Sequence, residues 1–130
     1  MLTRRNLILA LGFLPLATMA RADGYEIKPL SVAEMQASGG VIVDIRTPEE
    51  WAETGVIEGA RLVTFEGAQS FIATLGPDLA DGRDLILVCR SGRRSGAAAE
   101  ALQTMISNRI ISVDGGMSRI MDEGYQTVAP

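Results

Sequence analysis

Histidine is absent from the 130 residues, and cysteine occurs once, at Cys89. The first absence excludes a Cys/His or Ser/His catalytic pair. The two together leave no ordinary ligand set for zinc. A lone cysteine forms no internal disulfide. Positive charge is also scarce, with 12 Lys and Arg against 16 Asp and Glu and a net charge of −4. Such a chain is poorly suited to nucleic acid or an anionic membrane surface. No internal repeat, linker or low-complexity stretch follows residue 22.

Residues 1–22 read as an export signal. Arg4 and Arg5 form a charged start, Leu7 to Leu14 an apolar run, and Ala20-Arg21-Ala22 a small-x-small cleavage site before Asp23. The apolar run is too short to span a bilayer. The paired arginines suit a twin-arginine route and are also compatible with the general secretory route. With no cysteine at the cut, a lipoprotein anchor is excluded. Cleavage would leave one domain, residues 23–130, long enough for a single modest core. It would take three basic residues and no acidic one, so the net charge would fall to −7. The expected location is the periplasm, with no membrane span after signal removal. Exported proteins tend to pair or avoid cysteine. An unpaired Cys89 therefore calls for a reason, either catalysis or deep burial.

The stretch from Asp84 to Glu100 supplies the context. Leu85 to Val88 is an unbroken apolar run that suits a buried strand. Ser95 to Leu102 is Ala-rich and helix-prone. Between them lie Cys89, Arg90, Ser91, Gly92, Arg93 and Arg94. A strand that ends at a cysteine, turns through glycine and opens a helix brings the sulfur to the first helical amides, an anion-binding arrangement. A helix N-terminus and nearby arginines favour a thiolate. The bland alternative is a cysteine acting as a small buried hydrophobe, beside arginines on a solvated edge.

Elsewhere strand and helix alternate. Tyr25–Pro29 suits an edge strand, and Ser31-Val-Ala-Glu34 is a capping box opening a helix to about Ala37. Val41–Ile45 suits a buried strand. Thr47-Pro48-Glu49-Glu50 opens a helix with Trp51 and Ala52 on its inner face. Leu62–Phe65 suits a strand and Gly67–Leu75 a helix, with Gly76-Pro77 and Asp81-Gly82 bounding a loop. Ile110–Val113 is the last strand and Met117–Glu123 the last helix. The expected architecture is α/β, a mostly parallel central sheet of about five strands with helices on both faces. Ligands bind such sheets beyond the carboxyl ends of the strands. Cys89 and Arg46 both follow strands.

Four segments in order resemble a single-domain rhodanese, a sulfurtransferase. They are Asp44-Ile45-Arg46-Thr47-Pro48-Glu49-Glu50-Trp51, Gly55-Val56-Ile57-Glu58-Gly59-Ala60, Cys89-Arg90-Ser91-Gly92-Arg93-Arg94-Ser95, and Asp114-Gly115-Gly116 with Gly124-Tyr125. The similarity spans nearly the whole chain after residue 22. Val56 stands where the family usually has His, and Ile120 where Trp is common. Both departures are expected to alter packing only.

The resemblance implies that Cys89 takes a sulfane sulfur from thiosulfate or a similar small anionic donor. The Cys89 persulfide then passes it to cyanide or a thiol, with no cofactor and no metal. It further implies that amides from Arg90 to Ser95 cradle the anion, that Arg94 or Arg93 holds it, and that Arg90 pairs with Asp44 beneath the loop. Asp44 and Arg46 are also open to a purely structural ion pair, and Glu50 to bracing the loop. Arg90 beside the cysteine resembles thiosulfate-type rather than mercaptopyruvate-type rhodaneses. Cysteine phosphatases resemble the pattern but carry Arg six positions after the nucleophile, where this chain has Ser95. Two further readings stay open on the same fold: a non-catalytic binding or sulfur-carrier module, and phosphatase or arsenate chemistry.

Overall fold

Three apolar runs organise the fold. Val41–Asp44 (β2), Leu85–Val88 (β4) and Ile110–Val113 (β5) are buried along their whole length. Strands buried on both faces belong inside a parallel sheet with helical crossovers. The computed structural model describes residues 24–130. Its sheet has five strands in the order β1-β5-β4-β2-β3, with β1 at Glu26–Lys28 and β3 at Arg61–Leu62, and every pairing is parallel. The short β1 and β3 form the edges, so sheet growth at either edge is limited. The expected export signal, residues 1–22, lies outside the described residues.

Side chains alternate across the sheet and divide the core in two. Val41, Val43, Leu85, Leu87 and Ile110 face α3 (Ala68–Leu79) and α4 (Arg93–Leu102), where Phe71, Leu75, Ala98 and Leu102 meet them. Ile42, Ile86, Val88 and Val113 face α1 (Val32–Ala37) and α5 (Gly116–Asp122), through Val32, Met35, Met117 and Ile120. Ile120 is thus a core residue. Val56 is buried and pairs antiparallel with Val128 through two backbone hydrogen bonds of 2.8 and 2.9 Å.

Local sequence explains the helix starts. Ser31 and Glu34 close one reciprocal capping box before α1, and Thr47 and Glu50 another before α2 (Pro48–Thr54), which has Pro48 in its first turn. Three expectations need correction. The third strand covers Arg61–Leu62 rather than Leu62–Phe65. Helix α3 does not stop at Leu75 but continues through Gly76 and Pro77 to Leu79. Phe71, Leu75 and Leu79 all point into the core at i, i+4 spacing, while Pro77 faces solvent. Burial of that stripe outweighs the hydrogen bond lost at proline. Ala52 is exposed rather than inward-facing, and α2 buries no residue fully. Trp51 is partly buried, and polar contacts through Thr54, Gly55 and Glu50 also attach the helix, as the site shows.

Candidate active site

Strand β4 delivers Cys89 to the carboxyl edge of the sheet, and the chain turns from there into α4. Gly92 makes the turn at φ +103°, in the left-handed region that favours glycine. A Cβ there would lie 3.3 Å from the Gly115 nitrogen, so the turn is also closely packed. The result aims two amides at the sulfur. Gly92 N–H donates to Cys89 Sγ at 3.1 Å and Ser95 N–H at 3.3 Å. Donors fixed on Sγ stabilise negative charge there, both on a thiolate and on sulfur it acquires.

The sulfur is covered, with Cys89 only 1% exposed. It packs with Ile45 and Ala98 in the core cluster, yet the polar groups above are turned toward it. Ser95 Oγ lies 3.5 Å from Sγ, accepts from the thiol, and is itself fully buried. It also lies 3.2 Å from the Gly92 carbonyl and 2.7 Å from Ser112 Oγ.

Helix α5 holds the loop from the other side. Met117 N–H donates to the Cys89 carbonyl at 2.8 Å and Ser118 N–H to the Arg90 carbonyl at 3.0 Å. Gly116, at φ +54°, lies so close that a Cβ would overlap both carbonyl groups. The Gly115-Gly116 pair thus lets one backbone rest directly on another.

One pairing among the charged residues differs from the expectation, while the Asp44–Arg46 ion pair and the bracing by Glu50 match it. Asp44 does not pair with Arg90. It forms a buried ion pair with Arg46, with Nη2–Oδ2 at 2.8 Å and Nε–Oδ1 at 3.0 Å. Arg46 also donates to Thr54 Oγ1 and to the Gly55 carbonyl. Following the β2 strand end, Arg46 is two residues from Asp44 and folds back onto it, whereas Arg90 leaves the β4 end toward solvent. Arg90 meets Glu50 at 3.4 Å and Glu53 at 3.3 Å. Arg94 binds Glu50 with two parallel bonds of 2.8 Å. That guanidinium holds the Glu50 carboxyl down at about 2, against the partial opposing effect of burial and with help from the Thr47 amide. Glu50 in turn raises Arg94. Glu50 therefore clasps both sides of the cysteine loop, a bracing contact.

Ser91 is exposed on the loop. Arg93, exposed at the first position of α4, has no ion pair or side-chain hydrogen bond among the described residues. It is the loop arginine left with uncompensated charge. Beside Arg94 opens a cavity of about 390 Å³ lined by Ile45, Thr47, Thr64, Phe65, Arg94 and Ala97. No cluster of three or more His, Cys, Asp or Glu side chains suited to a metal occurs among the described residues. Nor is any helix there long and apolar enough to cross a membrane.

Sequence reasoning did not single out Ser112, Thr54, Glu53 or the amides of Met117 and Ser118. The polar break in Ile110-Ile111-Ser112-Val113 was the available signal for Ser112. The other contacts depend on folded proximity.

Comparison with known proteins places this geometry in a family. Residues 28–123 match the Rhodanese-like domain. Thiosulfate sulfurtransferase GlpE of Stutzerimonas stutzeri is 35% identical over 94 residues, covering 72% of this chain and 82% of that protein. A sulfurtransferase of Allochromatium vinosum is 30% identical over 90 residues, covering 69% and 79%. A rhodanese-like domain protein of Staphylococcus aureus superposes with TM-score 0.54 at 26% identity, over 81% of this chain and 99% of that one. A Rhodopseudomonas palustris protein described as a possible tyrosine phosphatase gives 0.63 at 26% identity, over 78% and 85%. The sheet order, the amide-lined cysteine loop and these matches agree, and the chain belongs to the rhodanese-like domain family of single-domain sulfurtransferases.

Proposed function

We propose that the protein is a periplasmic thiosulfate sulfurtransferase working through a Cys89 persulfide. The observation that carries this reading is the pair of amides, Gly92 and Ser95, directed at Cys89 Sγ. Cys89 thiolate attacks the outer sulfur of thiosulfate. A new S–S bond forms as the old one breaks, its electron pair leaving on sulfite. The persulfide anion inherits the amide donors. Cyanide then takes the outer sulfur as thiocyanate, or a thiol takes it as a persulfide, and the Cys89 thiolate returns.

Arg93 is the group that attracts the dianionic donor, because Arg90 and Arg94 are already engaged by Glu50 and Glu53. Since Sγ is covered, the donor gains access as the Glu50 clasp loosens, its oxyanion replacing the carboxylate on Arg94. The cavity beside Arg94 accommodates the acceptor. A relative's description as a possible tyrosine phosphatase raises the rival of phosphate chemistry. Against it, Ser95 occupies the sixth position after the cysteine and its amide and hydroxyl turn inward to the sulfur. The proposed export of the protein rests on the sequence of residues 1–22.

The test is cyanide-dependent thiocyanate formation from thiosulfate by the wild type and by Cys89→Ser. Activity in the first and none above background in the second is expected. An undiminished rate in Cys89→Ser would end the reading. Recovery of the protein, cut before Asp23, in the periplasmic fraction tests the location. Retention of uncut protein in the cytoplasm would refute it.

A further inference from the structure

Ser112 is a fully buried hydroxyl in a strand otherwise made of Ile110, Ile111 and Val113. It sits on the face of β5 that carries Ile110 toward α4. A buried hydroxyl without a partner destabilises a fold, so a serine here needs a specific acceptor. Among the described residues Ser112 Oγ has one hydrogen-bond partner, Ser95 Oγ at 2.7 Å. An unmade bond from a buried O–H costs more than a made one gains. The Ser112 proton is therefore donated to Ser95.

That assignment settles what Ser95 does. Its oxygen accepts from Ser112, and its single proton is free for one of two acceptors, the Gly92 carbonyl at 3.2 Å or Cys89 Sγ at 3.5 Å. With a neutral thiol, the S–H donates to Ser95 and the Ser95 proton goes to Gly92. With a thiolate, the stronger acceptor is the sulfur, and the Ser95 proton turns to it. In both states the Ser112 donor is satisfied and no buried proton is orphaned. Chains of this kind polarise one another, so a donor behind Ser95 strengthens Ser95 as a donor in front.

We propose that Ser112 is a positioning residue for the nucleophile, the rear member of a Ser112–Ser95–Cys89 relay that fixes the Ser95 hydroxyl for a charged sulfur. The proposal deepens the sulfurtransferase reading and rests on Cys89 being the nucleophile. Charged groups around the sulfur are Arg90 on its own loop, Arg93 and Arg94 from α4, Glu50 from α2, and Asp44 and Arg46 at the end of β2. Asp114 follows β5, and Arg119 on α5 bonds the Asp114 carbonyl. None of these bonds Ser112, so substitution there isolates the relay.

The experiment compares wild type, Ser112→Ala, Ser112→Thr and Cys89→Ser, each shown to be folded by thermal unfolding. Two readings are taken near neutral pH. One is the rate of Cys89 alkylation by iodoacetamide. The other is the ultraviolet absorbance of the thiolate, the wild-type signal minus that of Cys89→Ser, which needs no access to the sulfur. One ordinary hydrogen bond corresponds to about a fivefold effect. Ser112→Ala is expected to lower both readings by up to about fivefold, the full amount only where the thiolate is the minor form, and Ser112→Thr, which keeps the hydroxyl, to recover most of it. A folded Ser112→Ala with wild-type rate and absorbance would overturn the proposal, as would a wild type with no Cys89-dependent absorbance. Neither reading requires sulfur transfer. A relay effect without persulfide formation from thiosulfate would refute the enzymatic reading and leave the relay standing.

Discussion

Glu50 and Arg94 face each other through two bonds of 2.8 Å, joining the start of α2 to the start of α4 across the mouth of the cysteine loop. The pair has a consequence for acid stability. Glu50 ionises at about 2 in the fold and near its ordinary value of 4.5 when unfolded. A lowered carboxylate contributes stability above the unfolded value, and the contribution disappears as pH falls from about 4.5 toward 2. Arg94 is nearly half exposed, which screens the pair. Glu50→Gln should cost about 1–2 kcal/mol at pH 7 in denaturant unfolding, with the difference from wild type shrinking by pH 3. An equal difference at both pH values would contradict the assignment.

The buried Asp44–Arg46 pair should be far more sensitive to single substitution. Asp44→Ala leaves Arg46 charged and 1% exposed. A loss of about 3–5 kcal/mol is expected from stranding one partner of a buried pair. Asp44→Leu combined with Arg46→Met removes both charges and should lose less than Asp44→Ala alone. Denaturant unfolding of the three proteins measures this. A loss under about 1 kcal/mol for Asp44→Ala would show that Thr54 and the Gly55 carbonyl suffice for Arg46.

Gly116→Ala tests the docking of α5 on the loop. The new Cβ would overlap the Cys89 and Arg90 carbonyls, at a φ that disfavours any side chain. Strain and displaced packing should cost about 1–3 kcal/mol. The loop shift should cost activity about 100-fold, since misplacement near an ångström has that effect. Wild-type activity in a folded Gly116→Ala would remove α5 from the account of the site.

The central sheet was legible because β4 is an unbroken apolar run and β2 and β5 are apolar but for Asp44 and Ser112, a pattern that survives without knowledge of their neighbours. The two capping boxes likewise act within four residues. Pro77 misled because local chemistry was outvoted by the core stripe Phe71–Leu75–Leu79. The cysteine turn could be read from Gly92 and the helix-prone segment behind it. Pairings among the arginines could not. A long guanidinium reaches several carboxylates, and which one it takes depends on whether the side chain leaves the strand end inward, as Arg46 does, or outward, as Arg90 does. Ser112 lies 17 residues from Ser95 along the chain and 2.7 Å from it in the fold.

Arg93 and Arg94 should separate kinetically. Arg93 has no protein partner among the described residues, so Arg93→Ala should leave stability within about 0.5 kcal/mol of wild type. Loss of a group that only attracts the donor raises KM for thiosulfate with little change in kcat. Arg94→Ala frees Glu50 and should lower stability as well. Steady-state kinetics with thermal unfolding distinguishes them, and an unchanged KM in Arg93→Ala would exclude it from donor binding.

The most direct measurement is intact-mass analysis of the protein before and after incubation with thiosulfate, without reductant, alongside Cys89→Ser. One added sulfur atom on the wild type, removed by cyanide and absent from Cys89→Ser, is the result expected from a sulfur held under the Gly92 and Ser95 amides. An unchanged wild-type mass, or the same addition in Cys89→Ser, would contradict it.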